Sequence, residues 1–437
     1  MLGNRLSPIT AVALALTLSL LGCTTKTPQP AHAPKPITLQ FWTLQLKPFA
    51  QVIEPLLAEF EAAHPNTRVQ WIDLPFAEGE KRVLAALSGQ TVPDVVNLNP
   101  EFSALLMARG ALRPISSEGL QHAYLPAAID AATLRETPND NHGRVVGFPW
   151  YLTTKITVMN NTFLPTAQRQ QANVAFSTDH AMARLSELAA ETAQTTPPRY
   201  AIMPSLTTSG GFLKTLWGCG FNPYLTEATQ TKPNLTTPEA QQTLQFWQGF
   251  FEQGWIPKAS LIEGPQAALE RYQSGQLALL QVGANFLTQI QDNAPTVFAH
   301  TQVFPQFPLC PIATGQTTQT THTPRADFSL MVLSIPQRSA HPTEALALAA
   351  FMTQTKAQLK LALAAPVLPS TPQGLAKVCD ARNADNPQQA PLFREACRVS
   401  VAQMQQAQTG FPLLANQKQA FRESDQWVQG QFLNALD

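Results

Sequence analysis

Residue types that carry chemistry are present in this 437-residue chain, but few stand at catalytic spacing. The eight histidines form no H-E-x-x-H and no other metal-binding spacing. Neither the G-x-S-x-G nucleophile turn nor the G-x-G-x-x-G phosphate loop occurs. A carboxylate pair for glycoside hydrolysis is set by the fold rather than by spacing, so the sequence leaves that chemistry open. Five cysteines stand at 23, 219, 310, 379 and 397 with no C-x-x-C, which leaves zinc ribbons and thioredoxin-type redox sites unsupported. No cofactor and no metal is expected.

Cys23 is the most informative of these. It follows Leu20-Leu21-Gly22 at the end of an apolar run, Ile9 to Leu21, that begins after Arg5. A basic start, a short apolar core and small residues before a cut are the parts of a secretory signal. The run is 13 residues, against the ~20 a membrane-crossing helix needs. Leu-Leu-Gly-Cys resembles the lipobox of bacterial lipoproteins, which implies that Cys23 receives a diacylglycerol, that the mature chain starts there, and that it works outside the cytoplasm, held to a membrane by acyl chains. That places it on the periplasmic side of the inner membrane or on the outer face of the cell membrane. Thr24 to Pro36 is rich in Thr, Pro and Ala with no large apolar residue, the composition of an extended tether.

Removing residues 1–22 takes away Arg5 and leaves 28 basic against 29 acidic residues. No basic stripe stands out, which argues against a nucleic-acid partner. The other four cysteines permit two disulfides in three connectivities in an exported protein. Cys379 and Cys397, close together in a polar stretch, are the favoured pair, and Cys219 with Cys310 is the remainder.

The elements that must position any site alternate. Strand-like runs over 37–42, 69–72 and 93–98 are separated by helical patterns over 52–60, 81–87 and 102–109, which predicts an α/β layer with a mostly parallel sheet. Further strand-like runs cover 143–151, 155–160, 276–282 and 328–335. Helical patterns cover 182–193, 237–254, 267–275 and 342–363, and most of 391–436 with a break at Gly410-Phe411-Pro412.

This order of segments resembles the extracellular sugar-binding proteins of ABC importers, the group that includes maltose-binding protein. The resemblance is carried by Ile37–Thr43, by Phe60-Glu61 with His64-Pro65-Asn66, by Ala85–Val96, by Gly110-Ala-Leu-Arg-Pro114, by Gly143–Pro149 and by Tyr272–Ala278. Two places depart from the family pattern, Phe176–Asp179 and Arg325–Asp327. The resemblance implies an α/β two-lobed periplasmic-binding-protein fold of type II, with the ligand in the inter-lobe cleft and several chain crossings at the hinge, near Pro149, Val282 and Ser334. It implies a first lobe of 37–149 plus 283–334 and a second of 150–282 plus 335–437, behind a signal peptide (1–22) and a tether (23–36). It also implies a monomeric binding protein rather than an enzyme. The implied ligand is a neutral sugar, oligosaccharide or small glycoside, and the implied partners are the ABC permease's transmembrane subunits.

A sugar offers apolar ring faces and a belt of hydroxyls, which suit aromatic plates beside polar side chains. Trp42 and Thr43 end the first strand, and Asn99 and Glu101 follow the third, at the sheet edge where α/β proteins bind ligands. The alternatives are core packing for Trp42 and helix capping for Asn99 and Glu101. Trp150 and Tyr151 follow the first crossing. By the resemblance, Phe212 and Trp217 bring an aromatic to the second lobe, one facing the cleft and the other the core. Asn285 stands in a hinge loop, and Phe411 lies in a loop that often carries an aromatic. Arg325 and Asp327 precede a late strand and are suited to binding hydroxyls; their alternative is a surface ion pair. Two other roles fit the same chain: an exported, membrane-anchored carbohydrate-active enzyme, and a binding protein used for sensing or adhesion.

Overall fold

One long mixed sheet supports a first hydrophobic core and a second made of two adjoining clusters in the computed structural model of the protein. The structure describes residues 36–436 apart from 90, 138–139, 141–142, 165–197, 205, 207–209, 228–229, 308, 310–324, 326, 387, 389 and 408. Cys23 with its leader, all but the last residue of the tether, Phe176–Asp179, the helical pattern at 182–193, and Cys310 lie outside the described residues.

The first core starts from β1 (Ile37–Leu44), which pairs in parallel with β2 (Thr67–Leu74) and β3 (Val95–Leu98). Alternation along β1 sends Leu39, Phe41 and Thr43 inward, each fully buried. α1 (Ala50–Ala63) covers this layer with Ile53, Leu56, Leu57 and Phe60, spaced to fall on one helical face. α2 (Phe76–Ser88) and α3 (Pro100–Ala108) follow β2 and β3, and the Asn99 side chain caps α3 by accepting the Phe102 N–H at 2.8 Å.

The two strand-like runs at 143–151 and 155–160 form a single strand from residue 148 onward, β4 (Phe148–Asn160). Its first half pairs with a late strand of the first core and its second half belongs to the second core, where Ile156, Val158 and Met159 are buried. β5 (Tyr200–Ile202), β6 (Leu277–Gly283) and β7 (Thr301–Pro305) build the second sheet region, with β6 and β7 both antiparallel to β4. α4 (Gly211–Gly218) and α5 (Pro238–Glu252) cover it, Phe212 packing edge-on to Trp247 at 5.2 Å. β8 (Phe328–Pro336) returns antiparallel to β3 and β4, so the strand order is β2-β1-β3-β8-β4-β6-β5. Only the β2-β1-β3 and β6-β5 pairings on this path are parallel. The expectation of a mostly parallel sheet fails at β8 and β4 because the chain crosses between cores there instead of winding by a helix.

The helical run at 342–363 is two helices, α6 (Pro342–Met352) and α7 (Thr355–Ala364). α8 (Pro372–Asp385), α9 (Pro391–Gln406) and α10 (Gln417–Leu436) complete the chain. The expected lobe boundaries differ from this packing. Leu287, Ile290, Val303 and Phe304 pack in the second core, because β7 is zipped to the distal half of β4. Ala345, Leu348, Leu361, Leu375 and Val378 pack in the first, because β8 has carried the chain back to it. α9 bridges the two: Ala396 packs with the second, Cys397 and Met404 with the first. Cys379 and Cys397 form the expected disulfide and tie α8 to α9. Cys219 is also disulfide-bonded.

Candidate functional site

A cavity of about 1050 Å³ opens between the two cores. The first core contributes Phe76 at the start of α2 and Asn99 and Glu101 at the start of α3; Asp327 just before β8 and the first residues of β8, Phe328 to Met331, follow; the second side contributes Lys214 of α4, Phe411, and Lys418, Phe421, Arg422 and Asp425 of α10. Those four α10 residues lie at i, i+3, i+4 and i+7, one helical stripe turned to the cleft.

The Phe411 segment is fixed by the first core and packed on the second. The Gly410 N–H donates to Asp130 at 2.8 Å, and Leu413 and Leu414 pair with Leu134 and Arg135. A Cβ on Gly410 would lie 2.6 Å from the Ala127 carbonyl, so only glycine fits there. The Phe411 ring meets Trp217, Tyr224 and Phe421 edge-on at 5.8, 5.9 and 5.7 Å. Opposite, Phe76 is 56% exposed, leaving its ring free for a ligand. Lys418 closes one rim, its Nζ 2.7 Å from both Glu80 oxygens and 5.2 Å from the Phe102 ring centre.

Electrostatics around the cleft are balanced. Burial pushes the Asp327 carboxyl up, but the charges of Lys155 and Lys214 and hydrogen bonds from Lys155 and Gln306 bring it down to about 2. Its bond from Lys155 is 2.5 Å. Asp425 goes the other way: burial pushes it up to about 6 against a Gly210 N–H bond and the charge of Lys214. Tyr224, fully buried, has its hydroxyl raised by burial and then by the charge of Glu101.

Of the residues expected from sequence, Asn99, Glu101, Asp327 and Phe411 line this cleft. The remaining eight do not. Trp150 and Phe212 are core residues, 1% and 0% exposed. Trp217 is buried beneath Phe411, so the segment's cleft side is carried by Lys214 instead. Arg325 donates from Nη1 to the Trp217 and Phe221 carbonyls and lies over the Trp217 ring, 5.2 Å from its centre. Thr43 is fully buried, donates to Asp73 at 2.6 Å and accepts from Trp71. Trp42 packs half-buried against the first core. Tyr151, half-buried, reaches Asn97 at 3.5 Å, and its hydroxyl is raised by burial and then by Asp73. Asn285 lines a separate cavity of about 310 Å³ with Arg382 and Ser400. Phe76, Lys214, Lys418, Phe421, Arg422 and Asp425 were not expected; the α10 stripe was the available signal.

Two α/β cores sharing a sheet across a polar and aromatic cleft define a two-lobed solute-binding protein. The chain belongs to the bacterial extracellular solute-binding protein family, whose model matches residues 56–392. A curated relative, an uncharacterized lipoprotein in the oleD 5′ region of Streptomyces antibioticus, is 25% identical over 373 residues, covering 84% of this chain and 77% of that protein. A crystal structure from Synechococcus sp. MITs9220, of a candidate oligosaccharide periplasmic-binding protein, superposes with a TM-score of 0.70 at 29% identity, covering 90% of this chain and 93% of that one. The GacH receptor of Streptomyces glaucescens, solved unliganded and with acarbose, has a TM-score of 0.64 at 17% identity, covering 90% and 92%, and supports the fold alone.

Proposed function

We propose that this protein is the lipid-anchored substrate-binding protein of an ABC importer and that it captures a neutral oligosaccharide or small glycoside between its lobes. The observation that carries this is the cleft: exposed Phe76 on one wall, Phe411 and Phe421 on the other, and balanced charge between them. Ring faces suit aromatic plates, and the scattered Asn, Glu, Lys and Asp suit hydroxyls. Ligand contacts to both walls favour the closed state, so binding shifts the hinge equilibrium and the permease reads the closed shape. Among the described residues, the first lobe comprises roughly 37–153 and 328–385, the second roughly 155–305 and 417–436. Cys23 carries the lipid, and the tether lifts the lobes off the membrane. Binding is not followed by turnover.

A thermal-shift screen over neutral oligosaccharides tests this. A ligand at 100 times its Kd stabilises by ~2.7 kcal/mol. No stabilisation by any carbohydrate, or chemically altered ligand after hours with pure protein, overturns the reading.

A further inference from the structure

The second wall of the cleft holds two polar atoms, Asp425 Oδ1 and Lys214 Nζ, without a hydrogen-bond partner among the described residues. Asp425 accepts the Gly210 N–H through Oδ2 at 3.2 Å, while its Oδ1 is buried with no partner. The Lys214 side chain, half-buried one turn into α4, makes no hydrogen bond among the described residues; its charge acts on Asp327 and Asp425, and its ammonium rests over the Phe421 ring at 5.3 Å. Both residues line the cleft. A carboxylate oxygen taken out of water without a donor is costly, and burial has pushed this carboxyl up to about 6. An asparagine there would keep the Gly210 bond without the charge.

We propose that Asp425 and Lys214 form an acceptor–donor pair that grips two neighbouring hydroxyls of a bound sugar ring and so determines which sugar the cleft admits. As the lobes close on the ligand, one hydroxyl donates to the Asp425 carboxylate and the next accepts from Lys214 Nζ. The Gly210 bond fixes the carboxylate's orientation, and the Phe421 ring restrains the lysine. This rests on the carbohydrate-binding reading and names the residues that give it selectivity. A site built to bond a hydroxyl rejects an analogue lacking it, because the buried carboxylate is then left unpaired.

The test is calorimetric titration of wild type, Asp425→Asn and Lys214→Met with maltose, maltotetraose, isomaltose, cellobiose and sucrose, and with monodeoxy analogues of the best binder. Asp425→Asn and Lys214→Met each weaken the best binder by roughly 10- to 100-fold. The monodeoxy analogue that wild type discriminates most strongly loses nothing further on Asp425→Asn, an outcome that a merely structural role for Asp425 does not produce. If wild type binds and both variants bind as tightly, or if all analogues are weakened equally by the substitution, this inference is overturned while the carbohydrate reading stands. If wild type binds neither these sugars nor any carbohydrate of the thermal-shift screen, both are overturned.

Discussion

If Asp425 is held ready for a ligand, it should cost the empty protein stability. Its carboxyl titrates near 6 in the folded chain against an ordinary 3.8. The folded state therefore holds the proton to higher pH than the unfolded state does, so stability from this group is lost as pH rises from about 4 to 6 and stays lost above. A difference of about 2 between the two values corresponds to at most ~3 kcal/mol near pH 7.5 and about 0.5 kcal/mol at pH 4. Asp425 is partly exposed, which brings the expected effect down to about 1–2 kcal/mol. Asp425→Asn removes the charge and keeps an oxygen for the Gly210 N–H. Urea unfolding of wild type and variant at pH 7.5 and pH 4 reads the effect directly. The variant should be the more stable at pH 7.5, with the gain nearly gone at pH 4. A variant less stable than wild type at pH 7.5, or a gain of equal size at both pH values, would refute the reasoning. Coupled to weaker sugar binding, the gain would place Asp425 among residues kept for function at the expense of stability.

Replacing Cys379 and Cys397 by serine should cost about 3 kcal/mol, the loop-closure value for a separation of 18 residues; unchanged urea midpoints would count against a stabilising role. Phe411→Ala should weaken sugar binding by about 1–3 kcal/mol, by analogy with base–aromatic stacking, and leave a folded protein by circular dichroism, whereas Trp217→Ala, which empties a buried site, should lower the melting temperature as well. Cys23→Ser should move the protein from the membrane to the soluble fraction on fractionation, and unchanged membrane association would defeat the lipid-anchor assignment.

The fold was more legible in the sequence than the site, for physical reasons. β1, α1 and β3 announce themselves because burial imposes a period on Leu39, Phe41, Ile53 and Phe60 that solvent would not. The Cys379–Cys397 bond followed from proximity in the chain. The expected lobe boundaries differ from the packing of the cores because β4 runs unbroken from one core to the other, and no local pattern marks where along it the burial changes hands. At the cleft, aromatic content misled. Trp150, Phe212 and Trp217 look like ligand plates, but large aromatic rings are also what fills a core, and nothing local separates the two uses. Arg325 and Thr43 were polar enough to suggest contacts, yet Arg325 Nη1 bonds the Trp217 and Phe221 carbonyls and the Thr43 hydroxyl bonds Asp73 and Trp71. The α10 stripe of Lys418, Phe421, Arg422 and Asp425 had the right period, but a mixed apolar and charged face reads equally well as an ordinary surface helix.

Hydrogen–deuterium exchange with and without the best-binding oligosaccharide tests the central claim most directly. The account predicts protection on both walls of the cleft, over residues 74–80, 99–109, 210–218 and 410–425, with little change in the outer helices α1 and α6. Protection confined to one wall, or falling outside these segments while binding is saturated, would contradict it.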